Sequence, residues 1–140
     1  MNSMQAYHFV GLDIHKCSIT FCEKTAAGRT VAQGTIPARR DKLVAFAQSR
    51  SHPFVAGIEA TLFSGWVYDV LLPYAVELHV GHPARLKAIS KHKNDRIDAE
   101  MMTNLLRADL FPSCYMASSE VRELRRVLRN RNFIVGEATR

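Results

Sequence analysis

Two carboxylates stand inside short apolar runs of this chain, Asp13 in GLDIHK and Glu59 in GIEAT. Runs of that length, rich in β-branched residues, predict buried strands. An ionised acid in a buried strand is costly unless it is paired, hydrogen-bonded or bound to a cation. Two more acids, Asp95 and Asp98 in KNDRIDAE, lie in a stretch that predicts a helix. Their i, i+3 spacing places both on one helical face. Any fold built on these strands must therefore supply Asp13 with a partner, and a shared cation is the simplest one.

The order of the elements narrows the fold. Residues 7–14, 18–23 and 30–36 predict three short strands joined by tight turns, a meander. Helical periodicity follows over residues 41–50, then a continuous apolar run over 54–59 of the kind expected for a parallel strand. Residues 64–74 predict a helix ended at Pro73, 76–80 a fifth strand, and 95–110 a helix with Ile97, Met101, Met102 and Leu105 on its apolar side. A meander followed by alternating helices and strands implies an α/β fold, with a mixed five-stranded sheet flanked by helices. Within the first strand, alternation puts Asp13 on one face with Phe9, Gly11 and His15, and Val10, Leu12 and Ile14 on the other. Gly11 leaves room for a close approach beside the acid. Trp66 and Tyr68 are expected in the core.

Charge points to a polyanion. The chain carries a net charge of +6 with a pI of about 9.5. Residues 1–82 hold seven Lys/Arg against six Asp/Glu, whereas residues 83–140 hold twelve against seven, so the excess lies in the second part. Lys16 follows the first acid; Lys87, Lys91, Lys93 and Arg96 flank the late pair and are candidates to hold phosphates. After Pro112 the composition changes, and Ser118 begins a capped helix rich in arginine, including Arg122, Arg125, Arg126 and Arg129. Residues 1–112 are therefore expected to form the catalytic domain, and 113–140 the start of a basic helical arm or coiled coil through which the chain would pair with a second copy. That helix is still running at the last residue, as in a piece of a longer protein. On the bland alternative, the basic residues decorate a solvated face, Asp95 caps a helix and Asp98 is an ordinary first-turn acid.

Hard oxygen donors suit magnesium or manganese, and two such ions can activate a nucleophile and stabilise the leaving oxygen of a phosphodiester. The four acids are thus candidate catalytic and metal-binding residues. Other chemistries find less support. The three cysteines make no zinc set and no disulfide framework, which fits a cytoplasmic protein. No leader or membrane span is visible. His15, His79, His82 and His92 show no clear partner in the sequence, Ser64 lacks a nucleophile-elbow motif, and there is no phosphate-binding P-loop.

GLDIHK, GIEAT and KNDRIDA, in this order, resemble the N-terminal RuvC-like domain of the DEDD transposases of bacterial insertion sequences, recombinases that work with a bridging guide RNA. The resemblance runs from about Tyr7 into the arginine-rich arm. It implies a ribonuclease H-like (RuvC-like) fold with a C-terminal helical arm, and DNA, with a guide RNA, as partners. It also implies that Asp13, Glu59, Asp95 and Asp98 form a catalytic magnesium-binding tetrad in DNA cleavage and strand exchange. Family members continue to a further domain carrying a catalytic serine, a role that no residue of this chain takes. The residues also admit a RuvC-like hydrolytic nuclease, or a non-catalytic nucleic-acid-binding remnant. A sugar-kinase or actin-like ATPase would need glycines after the first acid, where Ile14, His15 and Lys16 stand.

Overall fold

The computed structural model describes residues 7–90 and 94–139. Three strands come first: β1 (His8–Ile14), β2 (Ser18–Thr25) and β3 (Thr30–Pro37). Then follow α1 (Arg40–Gln48), β4 (Phe54–Glu59), α2 (Ser64–Leu71), β5 (Glu77–Gly81), α3 (Pro83–Ile89), α4 (Asp95–Arg107) and α5 (Ser119–Ala138). The sheet order is β3-β2-β1-β4-β5. β1, β2 and β3 pair antiparallel, while β4 runs parallel to both β1 and β5. This mixed sheet with flanking helices and a helical arm is the ribonuclease H-like, RuvC-like arrangement.

The two faces of β1 explain the layering. Val10, Leu12 and Ile14 meet Leu43, Phe46, Val67, Val70 and Leu71 from α1 and α2 in the main core. Each such side chain contributes about 1.5–3 kcal/mol when fully buried. Trp66 and Tyr68 are half-buried against that core. On the opposite face α4 crosses β1 and β2. Gly11 makes that crossing close, since a Cβ there would lie 2.7 Å from Thr103 Oγ1 and nearer still to the Ala99 carbonyl oxygen. Thr103, wholly buried, accepts from the Gly11 amide at 2.9 Å, and its hydroxyl lies 2.9 Å from the Cys22 carbonyl. Two further ties hold α4 down. Buried Lys24 donates to Glu100 at 2.8 Å and to Asn104 at 3.1 Å, and Arg107 Nη2 reaches the Ala26 carbonyl at 3.3 Å.

At the other end of β1, His8 and Arg50 both donate to buried Glu23 at 2.6 Å, joining β2 to the segment after α1. The outer edge of β5 is covered by the chain after α4, through Cys114 N to Val80 O at 2.7 Å and His82 N to Pro112 O at 2.9 Å.

Four features differ from expectation. The face of α4 turned to the sheet carries Ala99, Met102, Thr103 and Leu106, whereas Ile97 is exposed and Met101 and Leu105 are half-buried. Close approach over Gly11 selects small residues, so the bulkier stripe is turned aside. The helix also ends at Arg107 rather than at 110. Asp109 takes a left-handed φ of 56°, and Leu110 N donates back to Leu105 O at 2.9 Å, a Schellman-type stop. Beyond the expected elements, the chain from Pro83 to Ile89 forms a short helix, α3, with Pro83 in its first turn. The helix after β4 stops at Leu71, short of Pro73.

Replacing Gly11 with Ala should lift α4 from the sheet. We expect a loss of about 1–3 kcal/mol, the usual cost of overpacking, read by urea denaturation. Unchanged stability would show that α4 does not depend on this contact.

Candidate metal centre

Asp13 lies one residue before the end of β1, and Glu59 ends the adjacent parallel strand β4. The register that pairs Leu12 with Ile58 brings the two acids to the same end of the sheet. This carboxyl end of parallel strands is where open α/β sheets gather their sites. Asp95 and Asp98 occupy the first turn of α4. Asn94 caps that helix, accepting from Arg96 N at 2.9 Å, so Asp95 is not its cap. The grip of α4 on Gly11, two residues before Asp13, carries its first turn toward the strand ends.

Direct contacts follow. His15 Nε2 donates to Asp13 Oδ2 at 2.9 Å and lies 3.3 Å from Asp95 Oδ1. One ligand atom each from Asp13, His15 and Asp95 falls within 4.8 Å of the others. Asp13 is only 6% exposed, while His15 and Asp95 are open to solvent. Asp98 Oδ1 accepts from Ser90 Oγ at 2.8 Å. Glu59 and Asp98 share the walls of a cleft of about 330 Å³, with Lys87 and Ser90 beside them and Leu86, Met101 and Met102 supplying its apolar surface.

The charges of these groups act on one another. Burial pushes the Asp13 carboxyl above its usual range; the His15 hydrogen bond opposes this, and the charges of Asp95 and Asp98 add to it. Glu59 is pushed up by burial and then by the charges of Asp13 and Asp98. His15 is raised chiefly by its hydrogen bond to Asp13. Asp13, His15 and Asp95 thus form one cluster, with the His15 imidazole between the two carboxylates, while Glu59 and Asp98 line the adjoining cleft. That is a correction for His15, which showed no clear partner in the sequence. The signal was its i, i+2 spacing from Asp13 on one strand face. His79 likewise has partners, Ser113 and Glu77, both at 3.0 Å, but these lie at the β5 edge.

The donor set suits a hard divalent cation. Carboxylate oxygens dominate it, they repel one another, and one is held nearly out of solvent. Imidazole is a poorer ligand for such ions than for softer metals, so His15 fits better as the group that orients Asp13.

The candidate cations are less uniformly placed. Lys87 lines the cleft, and Lys16 and Arg96 are exposed near the acids in sequence. Lys91, Lys93 and His92 lie outside the described residues. Arg122 is engaged elsewhere, making two bonds to Asp69 of α2 at 2.6 and 3.2 Å and a third to the Ala117 carbonyl at 3.0 Å. It pins the root of α5. Arg126 pairs with Glu123 on the exposed helix surface, and Arg125 and Arg129 are also exposed.

The family model for the DEDD transposases of the IS110 type, described as Transposase, matches residues 10–140. The chain belongs to that family. No curated protein matches it significantly. The Asp13–His15–Asp95 cluster could coordinate a divalent metal, and together with the transposase-family fold it supports enzymatic potential. Among the described residues, no helix is long and apolar enough to cross a membrane.

The raised Asp13 carboxyl has a thermodynamic sign. The folded state holds this proton more tightly than the unfolded chain does, so ionisation costs stability as pH rises through the carboxylate range, about 4 and upward. Without divalent ions and near neutral pH, Asp13→Asn should therefore melt above the wild type. The gap should close as pH falls through that range. Added manganese should raise the melting temperature of the wild type alone. Equal melting curves at both pH values would contradict the burial argument.

Proposed function

We propose that this chain is the catalytic RuvC-like part of an insertion-sequence transposase, assisting metal-dependent DNA cleavage and strand exchange. The observation that carries the reading is the convergence of Asp13, Glu59, Asp95 and Asp98 at the carboxyl ends of β1 and β4. Magnesium, or manganese, held there would activate the attacking oxygen and stabilise the leaving oxygen of a phosphodiester. Asp13, fixed in a rigid strand, sets the position of the site. Glu59 faces it from β4, and Asp95 and Asp98 close it from α4. His15 holds Asp13 in orientation and balances part of its charge until DNA arrives.

Residues 1–112 supply the chemistry in this reading, and 113–140 form a basic arm. Lys16, Lys87, Lys91, Lys93 and Arg96 contact phosphates near the site, as point charges that position DNA without reading its sequence. Arg125, Arg126 and Arg129 present the arm to DNA or to a guide RNA, while Arg122 orients it through Asp69. The apolar residues along α5, including Leu124, Leu128 and Val135, are exposed and suit pairing with a second copy. The same acids would serve a hydrolytic nuclease; the family match favours transposition.

Asp13→Asn, Glu59→Gln and Asp98→Asn, each placed in the transposase, should lower excision of a marked element by about a hundredfold or more, since several kcal/mol of charge stabilisation is lost. Their circular dichroism should stay native. Undiminished excision in any of the three would contradict the assignment.

A further inference from the structure

Leu62 is 92% exposed, the most exposed large apolar side chain among the described residues. A lone surface leucine needs no explanation on an ordinary loop, but this loop is not ordinary. It begins one residue after Glu59, where Ala60 N still bonds Gly81 O at 3.0 Å in continuation of the sheet. It is then braced from within. Ser64, buried under the start of α2, donates its hydroxyl to the Thr61 carbonyl at 2.8 Å and accepts from Thr61 N at 3.2 Å. Thr61 Oγ1 accepts from Phe63 N at 3.2 Å, and Phe63 packs against the core. Every neighbour of Leu62 is thus tied down, while Leu62 itself is held outward in water.

We infer that Leu62 is a wedge that enters the base stack of DNA beside the scissile phosphate. Three residues of chain reach at most about 11 Å, and one strand advances about 3.4 Å per nucleotide. Leu62 therefore falls within about three nucleotides of a phosphate held at Glu59. Apolar side chains of this kind part base steps and kink duplexes, a step that costs a few kcal/mol and is favoured by a rigid mount. The benefit fits the site. Asp13, nearly buried at the end of β1, reaches a phosphodiester more easily when the duplex is bent or opened. The basic balance of the chain supplies the affinity, which leaves Leu62 to supply the distortion.

This inference rests on the DNA-cleaving reading of the acid site, and the following experiment separates the two. Duplex DNA from the element's ends, carrying 2-aminopurine at successive positions, is titrated with the wild-type chain, Leu62→Ala, Leu62→Phe and Asp13→Asn. Fluorescence reports unstacking and anisotropy reports binding. We expect a rise at one or two adjacent positions with the wild type, Leu62→Phe and Asp13→Asn. With Leu62→Ala the rise should be lost, although affinity, set by phosphate contacts, stays within about threefold. An equal rise with Leu62→Ala, or binding without any rise in the wild type, would overturn the wedge and leave Leu62 as a contact for another protein surface. No binding by any variant would overturn the wedge and the nucleic-acid reading together. Loss of excision in Asp13→Asn with the rise intact would show that the acids and the wedge act separately.

Discussion

The contact between α4 and the middle of β1 sets everything else in this protein. Gly11 has no side chain, so the backbone of α4 settles onto the strand at Ala99 and Thr103. Thr103 then fills its hydrogen-bonding capacity inside the contact, with the Gly11 amide on one side and backbone carbonyls on the other. A buried hydroxyl satisfied in this way fixes helix position more sharply than apolar packing does. Because Asp13 follows Gly11 by two residues, Asp95 lies one turn before Ala99 and Asp98 directly precedes it, one contact positions these three acids.

The acids themselves work against stability. Burial and mutual repulsion raise Asp13 and Glu59, so the fold carries a local electrostatic cost. Sites of function are where such costs are found. His15 relieves part of it by standing between Asp13 and Asp95, and the Lys24–Glu100 pair and the Arg107 contact hold α4 in place against the repulsion. The scaffold is strongest just below the site: Thr103 is fully buried and Lys24 nearly so.

Much of this was legible in the sequence. An acid in an apolar strand, a second at the end of another, and a pair at helical spacing announced the acids that stand at and beside the strand ends, and the meander followed by alternating elements announced the sheet. The inner face of α4 was not legible. Ile97, Met101 and Leu105 have the stronger hydrophobic pattern, yet a helix lying on a glycine must offer small residues, and Ala99 and Thr103 win by shape. The end of α4 depended on the left-handed backbone of Asp109, which propensity does not foresee. Only half of the His15 role was open to reading: its i, i+2 spacing puts it beside Asp13, whereas its second partner, Asp95, is distant in sequence and meets it only through the tertiary approach of α4. The role of Arg122 was hidden in the same way, since its composition suggests a free cation while Asp69 of α2 claims it.

The most direct test of the central claim is anomalous scattering from crystals of this chain soaked in manganese. A peak among Asp13, Glu59 and the Asp95–Asp98 turn, with His15 withdrawn from between Asp13 and Asp95, is the predicted result. Acids clustered as described but with no manganese among them, at concentrations that load other carboxylate sites, would contradict it.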